Sequence, residues 1–435
     1  MRQVSDLRPI PSEWSIRQLS DVCSMRTGGT PPKNDVSLWS GEVPWVSGKD
    51  LKSLRLSDSI DHITRDAAET HSKIAPAGSV LVLVRGMGLA NGFALSLIDR
   101  PMAFNQDLRA LVPNPDLSGA FLMHALTFAS QRMLRNVTNA AHGTMRLSKD
   151  DLDGFELPMP PHAEQLTIAE VLDRARIAVD VEQRCLQRVQ ALKRATMREL
   201  FTCGLRGERQ RQTDFGATPD SWPLVPIGSF VTRTQYGLSL RGEAEGACPI
   251  LRMNCQENGK VVMRNLQFVT LERRTLEDFR VQPGDILFNR TNSYELVGRT
   301  AIVENNIEAV FASYLVRLSV DPTRIDSRFL NYFLNWDVTQ MELKKLASRA
   351  VGQANINASK LRGLAVPVPP QLDEQREIVA ILDAIDRKID LHNRKRAVIE
   401  DLFKALLHKL MTGEIRVSDL DLSALQASTA DGVPA

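Results

Sequence analysis

The stretch LPMPPHAEQLTIAEVLDRARIAVD, residues 157–180, returns as VPVPPQLDEQREIVAILDAIDRKID, residues 366–390. Each copy sets two prolines and a Glu-Gln pair ahead of a long amphipathic run. Proline ends an extended segment and is tolerated only in the first turn of a helix, so each copy marks the junction between a strand and a helix. In the second copy Ile378, Leu382, Ile385, Ile389, His392, Arg396, Ile399, Phe403, Leu406 and Leu410 recur at alternating spacings of four and three. That is a coiled-coil seam. Thr412-Gly413 then supplies a helix stop, glycine being cheap in the left-handed conformation that closes helices.

In the first copy Ile168, Leu172, Ala175, Val179, Glu182, Leu186, Val189, Thr196 and Leu200 take the same positions, with Lys193 breaking the seam and Leu192 placed to cover the gap. A helix from Glu164 to Thr202 is about 58 Å long at ~1.5 Å per residue. Neither flanking domain is large enough to hide it, so its stripe needs a second helix, and the other copy is the obvious partner. Antiparallel pairing about a pseudo-two-fold axis near residue 184 and its equivalent 394 brings Glu182 opposite Arg396, a salt bridge expected to set register more than stability. The same two polar residues also fit positions facing solvent or a third protein.

The duplication extends outward from the helices. Pro11 and Trp14 in IPSEWSIRQLSDV return as Pro219 and Trp222 in TPDSWPLVPIGSFV. APAGSVLVLVR matches QPGDILFNR, which pairs Pro76 with Pro283 and Arg85 with Arg290, and DLRALVPNPDLSGAFLMHAL matches YLVRLSVDPTRIDSRFLNYFL. The offset drifts only between about 207 and 210 residues, which means two whole domains with loop insertions and not a short solenoid period. The expected organisation is a first domain over 1–158, a helix over 159–204, a second domain over 205–367, a second helix over 368–413 and a flexible tail over 414–435.

Bulk properties bound the function. Of 435 residues, 43% are hydrophobic and 24% charged, an ordinary globular balance. The formal net charge of +2 rules out a uniformly basic coat, leaving local basic patches as the only means of attracting a polyanion. The five cysteines form no CxxC pair and no metal-ligand spacing with the seven histidines, so a reduced cytoplasmic setting, with no metal in this chain, is expected. No signal-like N-terminus and no apolar run of about 20 residues is present, so no membrane role is expected.

The order Pro-Pro, Glu-Gln, long helix, Thr-x-Gly, used twice after related domains, resembles the specificity (S) subunit of type I restriction-modification enzymes over nearly the whole chain. RTGGTPPKNDVSLWSGEVPWVSGKDL (26–51), GDILFNRTNSYELVGRTAIV (284–303) and GQANINASKLRGLAVPVPPQLDEQREIVAILD (352–383) are similar to interior stretches of that family. The resemblance implies an α+β fold: two pseudo-symmetric α/β target-recognition domains separated by two long antiparallel coiled-coil helices. It implies that each domain reads one half of a split sequence in double-stranded DNA. It also implies that the helices fix the gap and dock two methyltransferase (M) subunits, with restriction (R) subunits joining through the complex. No cofactor is then expected in this chain; S-adenosylmethionine, ATP and Mg2+ belong to the partner subunits. The two domains share few polar residues where they align, so two different half-sites are expected.

Arginine and lysine suit phosphates and guanine edges, and asparagine and glutamine can read adenine in bidentate fashion. The candidate DNA contacts in the first domain are Thr27, Lys33, Lys49, Lys52, Arg85, Asn105, Gln106, His142, Thr144 and Arg146. In the second they are Arg252, Asn254, Arg290, Asn292, Ser293, Tyr294, Arg299, Gln353, Asn355 and Asn357. Each of these residue types also serves as a turn cap or a solvated surface side chain. Trp39 and Trp45 read as packing residues.

No motif points to catalysis. TGGTPP precedes no helix, NPDLSG lacks the second proline and the aromatic of an amino-methylating motif, and no GxxxxGK[ST] loop occurs. Pro219-Asp220 with Glu342-Leu343-Lys344 is the nearest approach to a nuclease set, on fragments short enough to arise by chance. The expected function is a non-catalytic specificity subunit. Two alternatives stand beside it, a coiled-coil scaffold that binds proteins and a self-contained enzyme joining recognition to methyl transfer.

Overall fold

Strand Glu156–Met159 pairs antiparallel with Ser15–Gln18, and Ala365–Pro367 with Leu224–Pro226. Both end where a Pro-Pro pair removes consecutive backbone donors, and a helix begins just beyond: His162–Cys203 in one case, Leu372–Met411 in the other. The glutamine of each motif is buried. Gln165 Nε2 donates to the carbonyls of Pro160 (3.0 Å) and Asp116 (3.1 Å), while its Oε1 accepts the Ser118 N–H at 2.9 Å. Gln375 repeats this, donating to Pro369 at 2.9 Å and accepting the Asp326 N–H at 2.8 Å. Ser118 and Asp326 are the N-caps of helices Gly119–Phe128 and Ser327–Asn335, so each glutamine ties the start of a long helix to the start of a domain helix. The glutamates hold the tryptophans: Trp14 Nε1 donates to Glu164 at 3.1 Å and Trp222 Nε1 to Glu374 at 3.2 Å.

The computed structural model describes residues 10–139, 144–350 and 352–420, with 349 and 350 by backbone alone. His142 and the part of the expected tail beyond 420 lie outside the described residues. The chain divides into two compact units, one taking residues up to Gln183 and from Arg394 onward, the other Arg184–Asn393. Each long helix thus begins in one unit and ends in the other, and each unit packs the first part of one helix against the last part of the other.

Within both units the pairing is antiparallel. In the first, Arg416 bonds Glu164 through two contacts of 2.9 and 3.0 Å, and the Phe403 ring lies beside His124, with Ile168, Leu172, Phe403 and Leu410 joining the domain core. In the second, Leu186 and Val189 meet Ile389, while Phe201 packs edge-on to Phe329 and Phe333 at ring distances of 5.9 and 5.2 Å. The aspartate that follows a seam leucine, Leu172 or Leu382, anchors each helix. Asp173 receives His124 (2.9 Å) and Arg55 (2.6 Å); Asp383 receives Tyr332 (2.7 Å) and Arg328 (2.8 Å). Burial pushes the Asp173 carboxyl up, but the hydrogen bonds from His124 and Arg55 outweigh it and hold the group below the usual carboxylate range. Gly413 (φ 68°) and Gly204 (φ 65°) end the two helices in the left-handed region.

Two seam expectations need correction. Glu182 ion-pairs with Lys395, one residue before the expected Arg396, whose own guanidinium lies 3.8 Å from Glu400. A lysine on the flank of the seam keeps its ammonium in water and reaches the buried carboxylate along its flexible stem. Leu192 does not cover the gap at Lys193; it is 53% exposed. Lys193 stays in the seam, 2.6 Å from Asp386 and 5.0 Å from the centre of the Tyr332 ring, so no apolar filler is needed.

The two domains share one topology. In the first, a sheet runs Cys23–Thr27, Leu108–Pro113, Val80–Leu83, Leu95–Ile98, Arg55–Leu56. In the second the order is Val231–Tyr236, Leu315–Val320, Ile286–Asn289, Thr300–Ile302, Lys260–Val261, Gln256–Glu257. A smaller sheet built on Val43–Val46 beside Met102–Phe104 recurs as Cys248–Leu251 beside Val310–Phe311, parallel in both. The ladders refine the sequence alignment by one residue. Val84 and Arg290 each donate the backbone N–H to the loop before the neighbouring strand, to Asp107 (2.9 Å) and Tyr314 (3.0 Å), and accept one from Leu147 and Ile356, both at 2.9 Å. Arg290 is therefore equivalent to buried Val84, and Arg85 to Thr291.

Gln375→Leu removes a buried donor and acceptor pair and leaves the Asp326 N–H and the Pro369 carbonyl unpaired. A loss of roughly 1–3 kcal/mol in unfolding free energy is expected by urea denaturation, against a change within about 0.5 kcal/mol for exposed Gln371→Leu.

Candidate nucleic-acid interface

In the first unit the central strand Val80–Leu83 ends beside a short hairpin, Thr138–Asn139 with Met145–Arg146. Arg85 bridges to Arg146, and the Arg85 N–H donates to Asp107 at 3.3 Å. Both arginine side chains are exposed, and Thr144 stands half-buried just before Arg146. Arg109, absent from the sequence candidates, completes the cluster. Its guanidinium donates to the carbonyls of Gln106 (3.4 Å) and Leu108 (3.1 Å), and burial together with the nearby Arg146 charge draws its pKa below the ordinary arginine value. The signal was there in the alternation of Leu108-Arg109-Ala110, which sets a lone cation between two buried positions. Exposed Thr27 faces Arg109 across the ladder.

Gly28 and Gly29 explain TGGTPP. A Cβ on Gly28 would meet the Phe104 carbonyl at 2.0 Å, and the Gly29 N–H donates to that same oxygen at 2.9 Å. The loop is pressed onto strand Met102–Phe104 and shapes a cleft of about 500 Å³ lined by Thr30, Lys33, Lys49, Asn105 and Gln106, with Trp39 and Trp45 as its wall. The tryptophans pack edge-to-face at 4.9 Å, and their indoles donate to Pro32 and Gly29 carbonyls, the packing role expected of them. Gln106 is exposed and accepts the Thr30 hydroxyl. Asn105 is buried instead, its Oδ1 accepting the Asp107 N–H at 3.2 Å to form the turn. Lys49 is held by Asp61 at 2.7 Å, and Lys52 lines a separate depression with Asp58 and Ser59.

The second unit builds its face on the same scaffold. Arg290 follows strand Ile286–Asn289, and Thr291–Asn292 pairs with Gln353–Asn355, so Arg290, Asn292, Ser293, Gln353 and Asn355 come together. Asn355 Nδ2 donates to Thr291 at 2.6 Å, Asn292 accepts the Ser293 N–H at 2.8 Å, and Gln353 is exposed. The remaining candidates are elsewhere or otherwise engaged. Asn357 caps helix Ala358–Gly363, accepting the Ser359 N–H at 2.6 Å. Arg252 and Asn254 both donate to the carbonyl of Asn265, at 3.1 and 3.4 Å, and support a turn whose φ of 49° needs that help. Arg299 lines a different cleft, of about 590 Å³, with Lys344 and Arg194. The Lys344 ammonium lies 5.9 Å from the Tyr294 ring. Missed by sequence reasoning were Tyr236 and Tyr314, both well exposed; the scarcity of tyrosine, four in the chain, was the available signal.

Pro219-Asp220 and Glu342-Lys344 form no visible metal set. Glu342 sits on helix Asp337–Lys345 and bonds Lys345 at 2.7 Å, and among the described residues no group of three His, Cys, Asp or Glu is arranged to hold an ion. No helix among them is long and apolar enough to cross a membrane.

The fold defines the class: a duplicated α+β protein whose domains are carried on paired long helices. The chain belongs to the family of the type I restriction modification DNA specificity domain, whose model matches residues 11–191 and 231–401. It is 24% identical to the type I restriction enzyme StySPI specificity subunit of Salmonella potsdam, over 93% of this chain and 90% of that protein. It is 22% identical to the EcoKI specificity subunit of Escherichia coli K12, over 97% and 94%. In fold it is similar to the S subunit of a type I restriction-modification system from M. genitalium, with a TM-score of 0.58 and 15% identity over 94% of this chain and 98% of that one.

Asn357→Ala is expected to lower unfolding free energy by about 1 kcal/mol through loss of the cap, with DNA affinity unchanged. Arg85→Ala and Arg146→Ala should do the opposite, preserving stability while each reduces the slope of log K against log salt by about 1 in anisotropy titrations.

Proposed function

We propose that this chain is the non-catalytic DNA-recognition subunit of a type I restriction-modification complex, and that it reads a bipartite, asymmetric target. The observation that carries the reading is a comparison of equivalent positions on one backbone scaffold. Thr27 corresponds to Tyr236, Val84 to Arg290, Asp107 to Tyr314, Arg109 to Val316 and Arg146 to Asn355, as fixed by ladder and loop hydrogen bonds. Two heads with the same skeleton and different hydrogen-bonding side chains read different sequences, since base edges differ in their donor and acceptor patterns.

The long helices are the docking surface for methyltransferase subunits in this reading. Away from their seams they expose Ile177, Val181, Val398 and Leu402 in the first unit and Leu192, Ile381 and Leu391 in the second. Apolar residues at helical spacing with nothing packed over them are what a partner's hydrophobic surface would cover. Methyl transfer and DNA translocation, with their S-adenosylmethionine, ATP and Mg2+, belong to the M and R subunits; this chain supplies the address.

Co-expression with the cognate methyltransferase and genome-wide mapping of methylated bases should return one split motif, and exchanging residues 1–158 for those of a homologue should alter one half alone. Unmodified DNA would favour a protein-binding scaffold. Val398→Asp with Ile177→Asp is expected to abolish co-purification of the methyltransferase while circular dichroism stays unchanged.

A further inference from the structure

The Arg290 guanidinium carbon lies over the Tyr236 ring, 4.7 Å from its centre. Its Nε is buried without a partner, and among the described residues none accepts a hydrogen bond from its guanidinium. Other arginines of the same unit are engaged: Arg328 is paired with Asp383, Arg233 with Asp278 and Arg362 with the Thr234 hydroxyl. An unoccupied guanidinium among carboxamides and hydroxyls, with no carboxylate set against it, is a fork of donors awaiting an acceptor.

The backbone beneath it is fixed on both sides, by the Tyr314 carbonyl at 3.0 Å and the Ile356 N–H at 2.9 Å. The tyrosine is fixed as well. It ends strand Val231–Tyr236 opposite Val316, and its hydroxyl accepts the Ala358 N–H at 3.3 Å, while the residue remains 43% exposed. Stacking restrains the plane of the guanidinium, and a restrained plane matters little for a point-like phosphate charge. It matters much for two parallel bonds to a flat base edge.

Resting on the functional reading above, we infer that Arg290, positioned by Tyr236, reads one guanine in the major groove, donating to its O6 and N7. The half-site is that of the second unit only, because the equivalent positions in the first are Val84 and Thr27.

The test uses the full chain assembled with its methyltransferase and duplexes carrying the mapped motif, each guanine replaced in turn by 7-deazaguanine to delete N7. Wild type should lose about ten- to hundred-fold in affinity at one guanine of one half, and Arg290→Ala should be indifferent to that replacement while still discriminating in the other half. Arg290→Lys, which keeps the charge without the fork, should retain the salt slope and lose most of the discrimination. Tyr236→Phe should preserve discrimination, as ring stacking survives; Tyr236→Leu should lose it several-fold at an unchanged salt slope. The inference is overturned if Arg290→Ala weakens all sequences alike with a shallower salt slope, which marks a phosphate contact, or if it changes nothing. A split motif untouched by Arg290 variants sinks this inference alone; a wild-type complex that methylates no split motif sinks the functional reading along with it.

Discussion

The buried glutamine at the start of each long helix is the contact on which the rest of the architecture depends. Gln165 and Gln375 join three things that have no covalent reason to be neighbours: the Pro-Pro carbonyl, the first turn of the long helix and the N-cap residue of the domain helix. A buried carboxamide is costly unless both its ends are bonded, and here they are. The direction in which each long helix leaves its domain is set by that bonding. Trp14 on Glu164 and Trp222 on Glu374 add the N-terminal segment of each domain to the same knot. Burial raises the Glu374 carboxyl above its ordinary value, whereas Arg416 supplies Glu164 with a full charge partner, so one motif tolerates two electrostatic settings.

The seam between the helices is mainly apolar, and two of its polar interruptions are met by ion pairs from within their own unit, Glu182 with Lys395 and Lys193 with Asp386. Asp386 is nearly inaccessible and also meets the Tyr332 hydroxyl at 2.7 Å. Taking such a pair out of water costs about what the attraction returns, while leaving one member unpartnered would cost several kcal/mol. Slipping the helices by one heptad would strand these charges, so the pairs specify register even where they add little stability.

The heads show how one skeleton carries two vocabularies. Gly28 and Gly237 occupy the same place, each so close to a neighbouring strand that a Cβ would lie 2.0 Å and 2.3 Å from a carbonyl oxygen. With that contact fixed, the loops before and after the central strand return to the same positions, and their side chains are free to differ. The first head presents arginines at 85, 109 and 146 with a lysine-lined cleft; the second presents one stacked arginine amid asparagine, glutamine and tyrosine. Their chemistry differs while their backbones agree.

The sequence by itself determined the duplication, the helix seams, the stop at Gly413, the Pro-Pro junctions and the family, because each of these is a local pattern or a periodicity that survives without knowledge of contacts. What it did not determine were the matters of one-residue register and of convergence. Arg290 matches Val84 and not Arg85, since loop hydrogen bonds and not similarity of letters decide which residue follows a strand. Lys395 and not Arg396 takes Glu182, because reach from the flank competes with position in the seam. Asn105 and Asn357 looked like base readers but bond their own backbone, a use that no sequence pattern separates from recognition. Tyr236 and Arg290 are far apart in the chain and meet only because two strands deliver them to one edge; such a meeting belongs to the tertiary structure alone.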